Sequence, residues 1–212
     1  MHKNFEARMD KFGKSQSVLR TEDNRFLTGE GRYIDDSTPS NSLFAYFFRS
    51  QVAHARIAKL NIDDAKKSTG IKGIFTAEDL EKNGVKNDLV GVTVKNLDGT
   101  DGACPKRPLL AENRVRFVGE PIVIVVADSM ENARDAAELI EIDYDDLPVS
   151  IDLEVSENTI HQEAPGNLAF EWDLGDKNKT DAVFKEADKI VSMEVHNNRI
   201  IANSMEPRGC YA

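Results

Sequence analysis

Residues 121–148, PIVIVVADSMENARDAAELIEIDYDDLP, hold the clearest structural pattern in this 212-residue chain. The first seven form a continuous apolar run, which predicts a strand buried on both faces, with Pro121 where no ladder donor is needed. Ser129 can cap a following helix, and residues 140–144 alternate as a second strand. Small apolar side chains at helical spacing would let this helix lie close to a sheet, which predicts a compact β–α–β unit. Those helix positions are Ala133, Ala136, Ala137 and Ile140.

Three segments before this unit have the pattern of strands. Residues 43–49 (LFAYFFR) are rich in aromatic side chains, residues 54–62 alternate apolar and polar side chains, and residues 71–75 form a third short run. Gly29 and Gly31 predict a tight turn that leads into another short strand. Short strands mixed with short helices are typical of an α+β domain.

Two short helices are predicted between these strands from their capping residues. The first begins at Asp63 or Asp64 and continues through Lys67. The second covers residues 77–82, where Thr76 precedes the helix and an aspartate at the third helical position nearly completes a capping box. Such side chains accept hydrogen bonds from the free N–H groups of the first turn, so the start of each helix is well defined.

Two stretches lack periodicity. Residues 83–108 are interrupted by glycines and prolines, although one short strand is predicted at residues 89–94. A long irregular stretch inside a compact domain is often a functional or interaction loop. Residues 149–165 are polar and aperiodic, and we interpret them as a linker.

The last part of the chain predicts a second group of elements. Residues 167–174 are expected to form a strand, residues 176–187 a helix, and residues 189–195 another strand. If the sheet that contains the last strand is incomplete, its edge near residues 191–195 is unpaired, and unpaired edges associate with other chains. We therefore expect self-association through this part of the chain.

Composition narrows the class of protein. The net charge of −10 argues against binding to nucleic acid and to an anionic membrane surface. No apolar run approaches the roughly 20 residues that span a bilayer, so we expect no membrane span and a cytoplasmic location. Cys104 and Cys210 could form one disulfide, but no framework pattern supports it, and low cysteine content is consistent with a reducing compartment. The four scattered histidines do not indicate a zinc site.

Single residues of possible chemical interest are better explained structurally. Paired carboxylates at residues 35–36, 63–64 and 145–146 diverge in helices and strands, so they predict solvated caps and turns. We interpret His54 as a surface or half-buried strand histidine and Cys104 as an inert loop cysteine. Neither a Walker loop nor a dinucleotide-binding fingerprint is present in the sequence.

The segment from Met205 to Gly209 (MEPRG) is the one most like a functional motif. Its proline ends regular structure, and Glu206 with Arg208 could form a salt bridge that fixes a loop. A structural turn is the favoured interpretation.

Short segments with family-like spacing run in order from residue 20 to residue 212. The most specific are residues 108–111 (PLLA) and residues 115–121 (VRFVGEP). Together the segments resemble the large, molybdenum-cofactor-binding subunit of the aldehyde oxidase, xanthine dehydrogenase and carbon monoxide dehydrogenase superfamily, with the C-terminal segments most similar to the bacterial carbon monoxide dehydrogenase-like branch. The other segments are RTED (20–23), FLTGEGRYIDD (26–36), FRS (48–50), HARI (54–57), GIFTAEDL (73–80), ADS (127–129), DYDDLP (143–148), NNR (197–199) and MEPR (205–208).

The resemblance implies an α+β fold with the family's domain order. An N-terminal arm at residues 1–19 would precede an α/β hammerhead domain at residues 20–148. A linker at residues 149–165 would lead to the incomplete beginning of a molybdopterin-binding domain at residues 166–212. In this family molybdenum is held on a pyranopterin dithiolene, often with a cytosine dinucleotide in bacteria. Electrons leave through two [2Fe-2S] clusters to FAD, usually on partner subunits.

The resemblance implies no catalytic, cofactor-binding or metal-binding residue within this chain. The family's catalytic glutamate and glycine-rich cofactor loops lie downstream of the Met205–Arg208 segment, and Glu206 does not match that glutamate. We therefore expect a part of an oxidoreductase large subunit that is inactive alone and carries no cofactor by itself, with FAD-binding and iron–sulfur subunits as partners. The alternative is a stand-alone hammerhead module that binds or assembles partner subunits, for which the acidic surface and the loop at residues 83–108 are suited.

Overall fold

The computed structural model describes residues 20–212, apart from residues 90, 152, 154, 155, 199 and 207. The predicted N-terminal arm at residues 1–19 lies outside the described residues. Within them the chain forms two compact units, a larger one at residues 41–195 and a smaller one from residues 20–40 with residues 196–212. The helices and strands are α1 (Asp23–Leu27), β1 (Phe44–Arg49), β2 (Ala55–Asn61), α2 (Asp63–Lys66), β3 (Ile71–Phe75), α3 (Ala77–Lys82), β4 (Arg114–Val115), β5 (Pro121–Ala127), α4 (Met130–Glu138), β6 (Glu141–Asp146) and α5 (Lys177–Glu186).

The larger unit contains two three-stranded antiparallel sheets, which confirms the α+β class. Their strand orders are β1–β5–β3 and β4–β2–β6. Strand β5 pairs antiparallel with β1 on one edge and with β3 on the other. Because both edges of β5 are occupied, β6 pairs with β2 in the other sheet. The predicted strand, helix and strand are all present, but the expected β–α–β pairing is wrong, since α4 connects two different sheets.

Helix α4 packs against β1 and β5 through its alanine stripe. Ala133 and Ala136 are fully buried, and Ala137 is nearly so. Ile122 and Val125 of β5 are also fully buried. Small side chains allow the helix to approach the sheet closely, so the predicted close contact is confirmed. Apolar burial contributes roughly 25 cal/mol per Å², which makes this layer the main source of stability.

The predicted caps of α3 and α4 are confirmed, whereas the cap predicted for α2 at Asp63 or Asp64 is wrong, because Ile62 occupies the N-cap and provides no side-chain acceptor. The backbone N–H and the hydroxyl of Thr76 each donate to Asp79 Oδ2 at 2.8 Å, completing the capping box of α3. Both hydrogen bonds hold the pKa of Asp79 below its usual range. Ser129 Oγ accepts a hydrogen bond from Asn132 N at 3.1 Å and caps α4. Helix α2 agrees with its prediction to within one residue at each end.

In the smaller unit the prediction of a strand after Gly31 is wrong. A 3-10 helix occupies Ile34–Ser37 instead, preceded by α1. Asp36 Oδ2 accepts a hydrogen bond from Tyr33 N at 2.9 Å. This local bond satisfies the first turn of a helix, and so it favours helical over extended backbone here.

The irregular stretch at residues 83–108 is fixed by a buried asparagine. Asn87 is 2% exposed, its Nδ2 donates to Leu110 O at 2.9 Å, and its Oδ1 accepts from Leu110 N at 3.0 Å. The strand predicted at residues 89–94 is wrong, because the described part of this range has only an isolated bridge, at Leu89. Side-chain hydrogen bonds hold this loop in place of a strand ladder.

The strand predicted at residues 167–174 is also wrong. Ala169 O accepts a hydrogen bond from Ala103 N at 2.7 Å, so this segment runs along the preceding irregular loop. A Cβ on Gly102 would lie 2.7 Å from the Cβ of Phe170, which explains why glycine occupies this position. The segment therefore bonds to a loop and forms no ladder.

Helix α5 confirms the predicted helix, whereas the strand predicted at residues 189–195 is wrong. Asp176 Oδ1 caps α5 by accepting from Lys179 N at 3.0 Å. No strand among the described residues pairs with residues 189–195, and Met193 is 83% exposed. An extended segment forms a ladder of backbone hydrogen bonds only where another strand lies beside it.

The predicted domain boundaries at residues 148 and 166 do not coincide with the limits of the two compact units. Residues 149–165, the predicted linker, belong to the larger unit, and Ala164 within them is 6% exposed. The boundaries stay predictions about the family's domain order.

Candidate functional site: an arginine-lined pocket beside a buried polar cluster

Glu120 lies just before β5 and is 3% exposed. Its Oε2 accepts a hydrogen bond from Arg116 N at 2.5 Å, which closes the turn between β4 and β5. The turn is joined to the end of β1 because Ser50 N donates to Glu120 O at 2.9 Å and Gly119 N donates to Ser50 O at 2.8 Å. Burial raises the pKa of Glu120, while the N–H and the charge of Arg116 act in the opposite direction.

His54 lies just before β2 and is 5% exposed, so the interpretation as a surface or half-buried histidine is wrong. Its Nδ1 is 2.6 Å from Pro148 O, and its carbonyl accepts a hydrogen bond from Leu147 N. Because a carbonyl oxygen can only accept, Nδ1 carries the proton. Nε2 is buried and has no hydrogen-bond partner among the described residues. The imidazole therefore links the start of β2 to Pro148, which follows β6 and lies far from His54 in the sequence.

Tyr144 on β6 is half-buried with a buried hydroxyl, and it completes a polar cluster of Ser50, His54, Glu120 and Tyr144, which we call the buried polar cluster. Burial raises the pKa of Tyr144, and the nearby Ser50 hydroxyl opposes that rise. The Ser50 hydroxyl itself donates to Val52 O at 2.7 Å. The cluster joins the ends of both sheets, so its main role is to hold the connecting turns in place.

A basic pocket opens beside this cluster. Arg56 on β2 lies directly opposite Arg114 on β4, and Arg116 follows two residues later. The cavity measures about 300 Å³. We call it the arginine pocket; its lining residues are Arg56, Asn113, Arg114, Arg116, Ile160, Gln162 and Glu163. Guanidinium groups recognise oxyanions through paired N–H donors, so this surface has the chemistry of an anion site.

The positive charge of the arginine pocket affects the pKa of His161, which lies between the lining residues Ile160 and Gln162 in the sequence. Burial lowers its pKa, and the positive charge of Arg116 lowers it further, with Glu163 acting in the opposite direction. The imidazole is therefore held in its neutral form near pH 7.

Comparison with known proteins assigns residues 28–148 to a family. The family model described as "Aldehyde oxidase and xanthine dehydrogenase, a/b hammerhead domain" matches residues 28–148. The chain belongs to this family. It is 35% identical to the nicotine 6-hydroxylase large subunit of Paenarthrobacter nicotinovorans over 92% of its own length and 23% of that relative's length. The chain thus spans about a quarter of the length of this curated relative.

Solved structures agree with this assignment. Structures of the Cu,Mo-CO dehydrogenase and of the reconstituted CO dehydrogenase from Oligotropha carboxidovorans both superpose on the chain with a TM-score of 0.59 at 32% identity. Each match covers 81% of this chain and 22% of the other chain. The sequence resemblance to molybdenum hydroxylase large subunits is confirmed.

The described residues contain no cluster of metal-ligating side chains. Within the described ranges no three His, Cys, Asp or Glu side chains are arranged to hold a metal ion. The expectation that this chain carries no cofactor by itself stays a prediction. None of the helices that the structure describes is long and apolar enough to cross a membrane.

The Met205–Gly209 segment lies in the smaller unit and makes structural contacts. Glu206 Oε1 accepts a hydrogen bond from Ile34 N at 3.0 Å, and the Tyr211 hydroxyl donates to Ile34 O at 2.5 Å. The salt bridge proposed between Glu206 and Arg208 is not among the ion pairs of the described residues. The glutamate instead fixes the backbone of the 3-10 helix, as a structural turn would.

The paired carboxylates match their structural interpretation, and the inertness of Cys104 stays a prediction. Cys104 and Cys210 are both exposed free thiols, so the possible disulfide is not formed. The paired carboxylates lie at helix starts and a strand end: Asp36 caps the 3-10 helix, Asp64 pairs with Lys67 at 2.9 Å, and Asp145 is 4.0 Å from Arg56.

Sequence reasoning missed the arginine pocket and the buried cluster. The pattern Arg114-Val115-Arg116, in which a fully buried valine separates two arginines, was the available signal. Side chains alternate along a strand, so both arginines had to share the outer face. Arg114 and Arg116 lie close to Arg56 only because β2 pairs with β4, and no local sequence pattern predicts that pairing.

Proposed function

We propose that this chain is the N-terminal part of a molybdenum hydroxylase large subunit, to which it contributes the hammerhead domain. The family match over residues 28–148, together with the two antiparallel sheets of the larger unit, is the observation that carries the proposal. The related chains that it resembles are about four times longer, which leaves room for a cofactor-binding part.

The complete subunit would hold molybdenum on a pyranopterin dithiolene with a cytosine dinucleotide, and that group would supply oxidative hydroxylation. FAD and [2Fe-2S] clusters would be carried by partner subunits in the same cytoplasmic complex. The residues of this chain would provide a rigid platform: the buried polar cluster fixes the turns at the ends of both sheets, and α4 covers the β1–β5–β3 sheet. No reaction step is assigned to them.

The segment after the linker supports docking onto a larger body of protein. Apolar side chains at residues 172–195 lie exposed rather than in the core: Trp172 is 63%, Leu174 87% and Val191 81% exposed. Burial of such side chains is strongly favourable, so we expect the remaining part of the large subunit to pack against them.

The DNA that follows codon 212 tests the proposal most simply. A continuing or frameshifted reading frame that encodes glycine-rich cofactor loops is expected. A non-coding region there would contradict the proposal and would favour the stand-alone hammerhead module that binds partner subunits.

A matched expression experiment tests the chemical role. The 212-residue chain and the extended reading frame are produced under the same conditions with molybdenum supplied, and metal content is measured by mass spectrometry. Molybdenum is expected only in the extended protein. Stoichiometric molybdenum in the 212-residue chain would contradict the claim that it is inactive alone.

A further inference from the structure

Three arginines share one face at the β4 edge of the sheet with the order β4–β2–β6. Arg56 and Arg114 are direct cross-strand partners in the antiparallel pair of β2 and β4. Arg116 lies two residues after Arg114, and the intervening Val115 is fully buried, so both arginines lie on the outer face. Like charges directly opposite each other destabilise a sheet. The chain is acidic overall, so this concentration of positive charge runs against its composition.

The surrounding carboxylates leave these guanidinium groups largely unpaired. Arg56 is 4.0 Å from Asp145, and both side chains are about 60% exposed, so this contact is weak. Arg114 and Arg116 form no ion pair with any carboxylate in the described part of the chain. Arg116 Nε is buried and has no hydrogen-bond acceptor there. Glu120 accepts from the backbone of Arg116, which leaves the guanidinium donors available.

The cavity provides a suitable volume and further donors. Its volume of about 300 Å³ is at the lower end for small-molecule pockets. Asn113 and Gln162, which carry side-chain amides, are among its lining residues, and Glu163 is the one acidic residue among them. Burial lowers the pKa of His161 beside the pocket, and the positive charge of Arg116 lowers it further.

We infer that the arginine pocket is a binding site for the phosphate group of a small phosphate monoester. A planar carboxylate offers two oxygens, which one guanidinium fork satisfies. A tetrahedral phosphate offers oxygens in several directions, so it can accept from three arginines and two amides together. Binding would also remove the repulsion between Arg56 and Arg114. This inference is independent of the proposed function.

Calorimetric titration of the 212-residue chain with inorganic phosphate tests the site, with sodium chloride at equal ionic strength as the reference. Saturable binding of phosphate is expected. Arg114→Gln and Arg116→Gln should each weaken it at least ten-fold, which is about 1.4 kcal/mol. Arg134→Gln, which removes the same charge from an exposed arginine on α4, should leave the affinity unchanged.

Titrations with two further ligands and one further variant identify the chemical class of the ligand. Glycerol phosphate should bind at least as tightly as inorganic phosphate, and malonate, a dicarboxylate, at least ten-fold more weakly than either. Arg114→Lys keeps the positive charge and the fold but loses the paired N–H donors of the guanidinium group, so it should give an intermediate affinity for phosphate. Equal heats for phosphate and chloride would overturn the inference, as would equal phosphate affinity of Arg116→Gln and Arg134→Gln. Weaker binding of the ester than of phosphate, or malonate binding as tight as phosphate, would overturn the ligand class.

Discussion

The layer formed by β5 and α4 and the segment at residues 172–195 contain similar kinds of apolar side chains in different environments. Ile122 in the first is fully buried, whereas Ile190 in the second is 55% exposed. Strand β5 has paired neighbours on both edges, and α4 covers one of its faces. The later segment has one helix and no sheet among the described residues. Apolar composition therefore creates stability only where the topology supplies a second surface.

The two regions also differ in how their helices are held. Helix α4 combines a cap at Ser129 with three buried alanines, while α5 has a cap at Asp176 and no buried residue. A cap defines where a helix starts, but tertiary packing provides most of its stability. Helix α5 is therefore expected to depend on its cap far more than α4 does.

The largest contrast is expected from one substitution made in both regions. Ile122→Ala should lower the free energy of unfolding by about 2–5 kcal/mol, because it removes fully buried methyl groups from β5. Ile190→Ala should change it by less than about 0.5 kcal/mol, because that side chain is mostly exposed. Urea denaturation followed by circular dichroism measures both. Equal losses would show that residues 189–195 belong to the packed core.

Asn87→Ala should give the next largest effect. The substitution leaves the N–H and C=O of Leu110 buried without their partners, which costs about 1–3 kcal/mol. Asn178→Ala, at an exposed position on α5, is the matched control and should be nearly neutral. A neutral result for Asn87→Ala in urea denaturation would mean that the irregular loop contributes nothing to the stability of the unit.

Loss of a helix cap should have a smaller and region-dependent effect. Asp79→Ala removes the acceptor of the capping box of α3 and should cost about 0.5–2 kcal/mol of global stability. Since the pKa of Asp79 is lowered from 3.8, its contribution is present above pH 3.8 and is lost as the pH falls through the folded pKa. Wild type and variant should therefore converge in acid unfolding curves.

Asp176→Ala provides the comparison for that result. It should reduce the helicity of α5 in circular dichroism and leave the urea midpoint unchanged, because α5 has no buried residue. A lower midpoint would show that α5 is coupled to the sheets.

The smallest effect concerns self-association, which the exposed apolar segment still favours although it forms no strand. Sedimentation velocity at rising concentration should show weak association of the 212-residue chain. Val191→Glu with Val195→Glu should reduce it, since both side chains are at least 70% exposed. The matched pair Gln51→Glu and Thr93→Glu adds the same two negative charges at exposed positions elsewhere in the larger unit. A strict monomer at high concentration, or equal effects of the two pairs, would contradict the prediction.

Local patterns predicted the elements whose stability is decided locally. The apolar run at residues 121–127, the alanine stripe of α4 and the caps at Thr76 and Ser129 all depend on neighbours within a few residues. The family segments added the hammerhead assignment, which pairing patterns alone would not have given.

Pairing and long-range polar contacts could not be predicted in the same way. The antiparallel partners of β5 come from two earlier parts of the chain, so its sheet could not be inferred from the strand itself. His54 is buried because Pro148 supplies an acceptor, and the arginine pocket depends on the register of β2 against β4. Residues 189–195 alternate like a strand, but a strand forms only with a partner.

Native-state hydrogen exchange of the 212-residue chain tests the central contrast most directly. Amides of residues 122–127 and 133–138 should exchange only by global unfolding, because they lie in a paired strand and a packed helix. Amides of residues 189–195 should exchange at nearly unprotected rates. Comparable protection in the two regions would contradict the account, since it would mean that the later segment is as firmly held as the sheets.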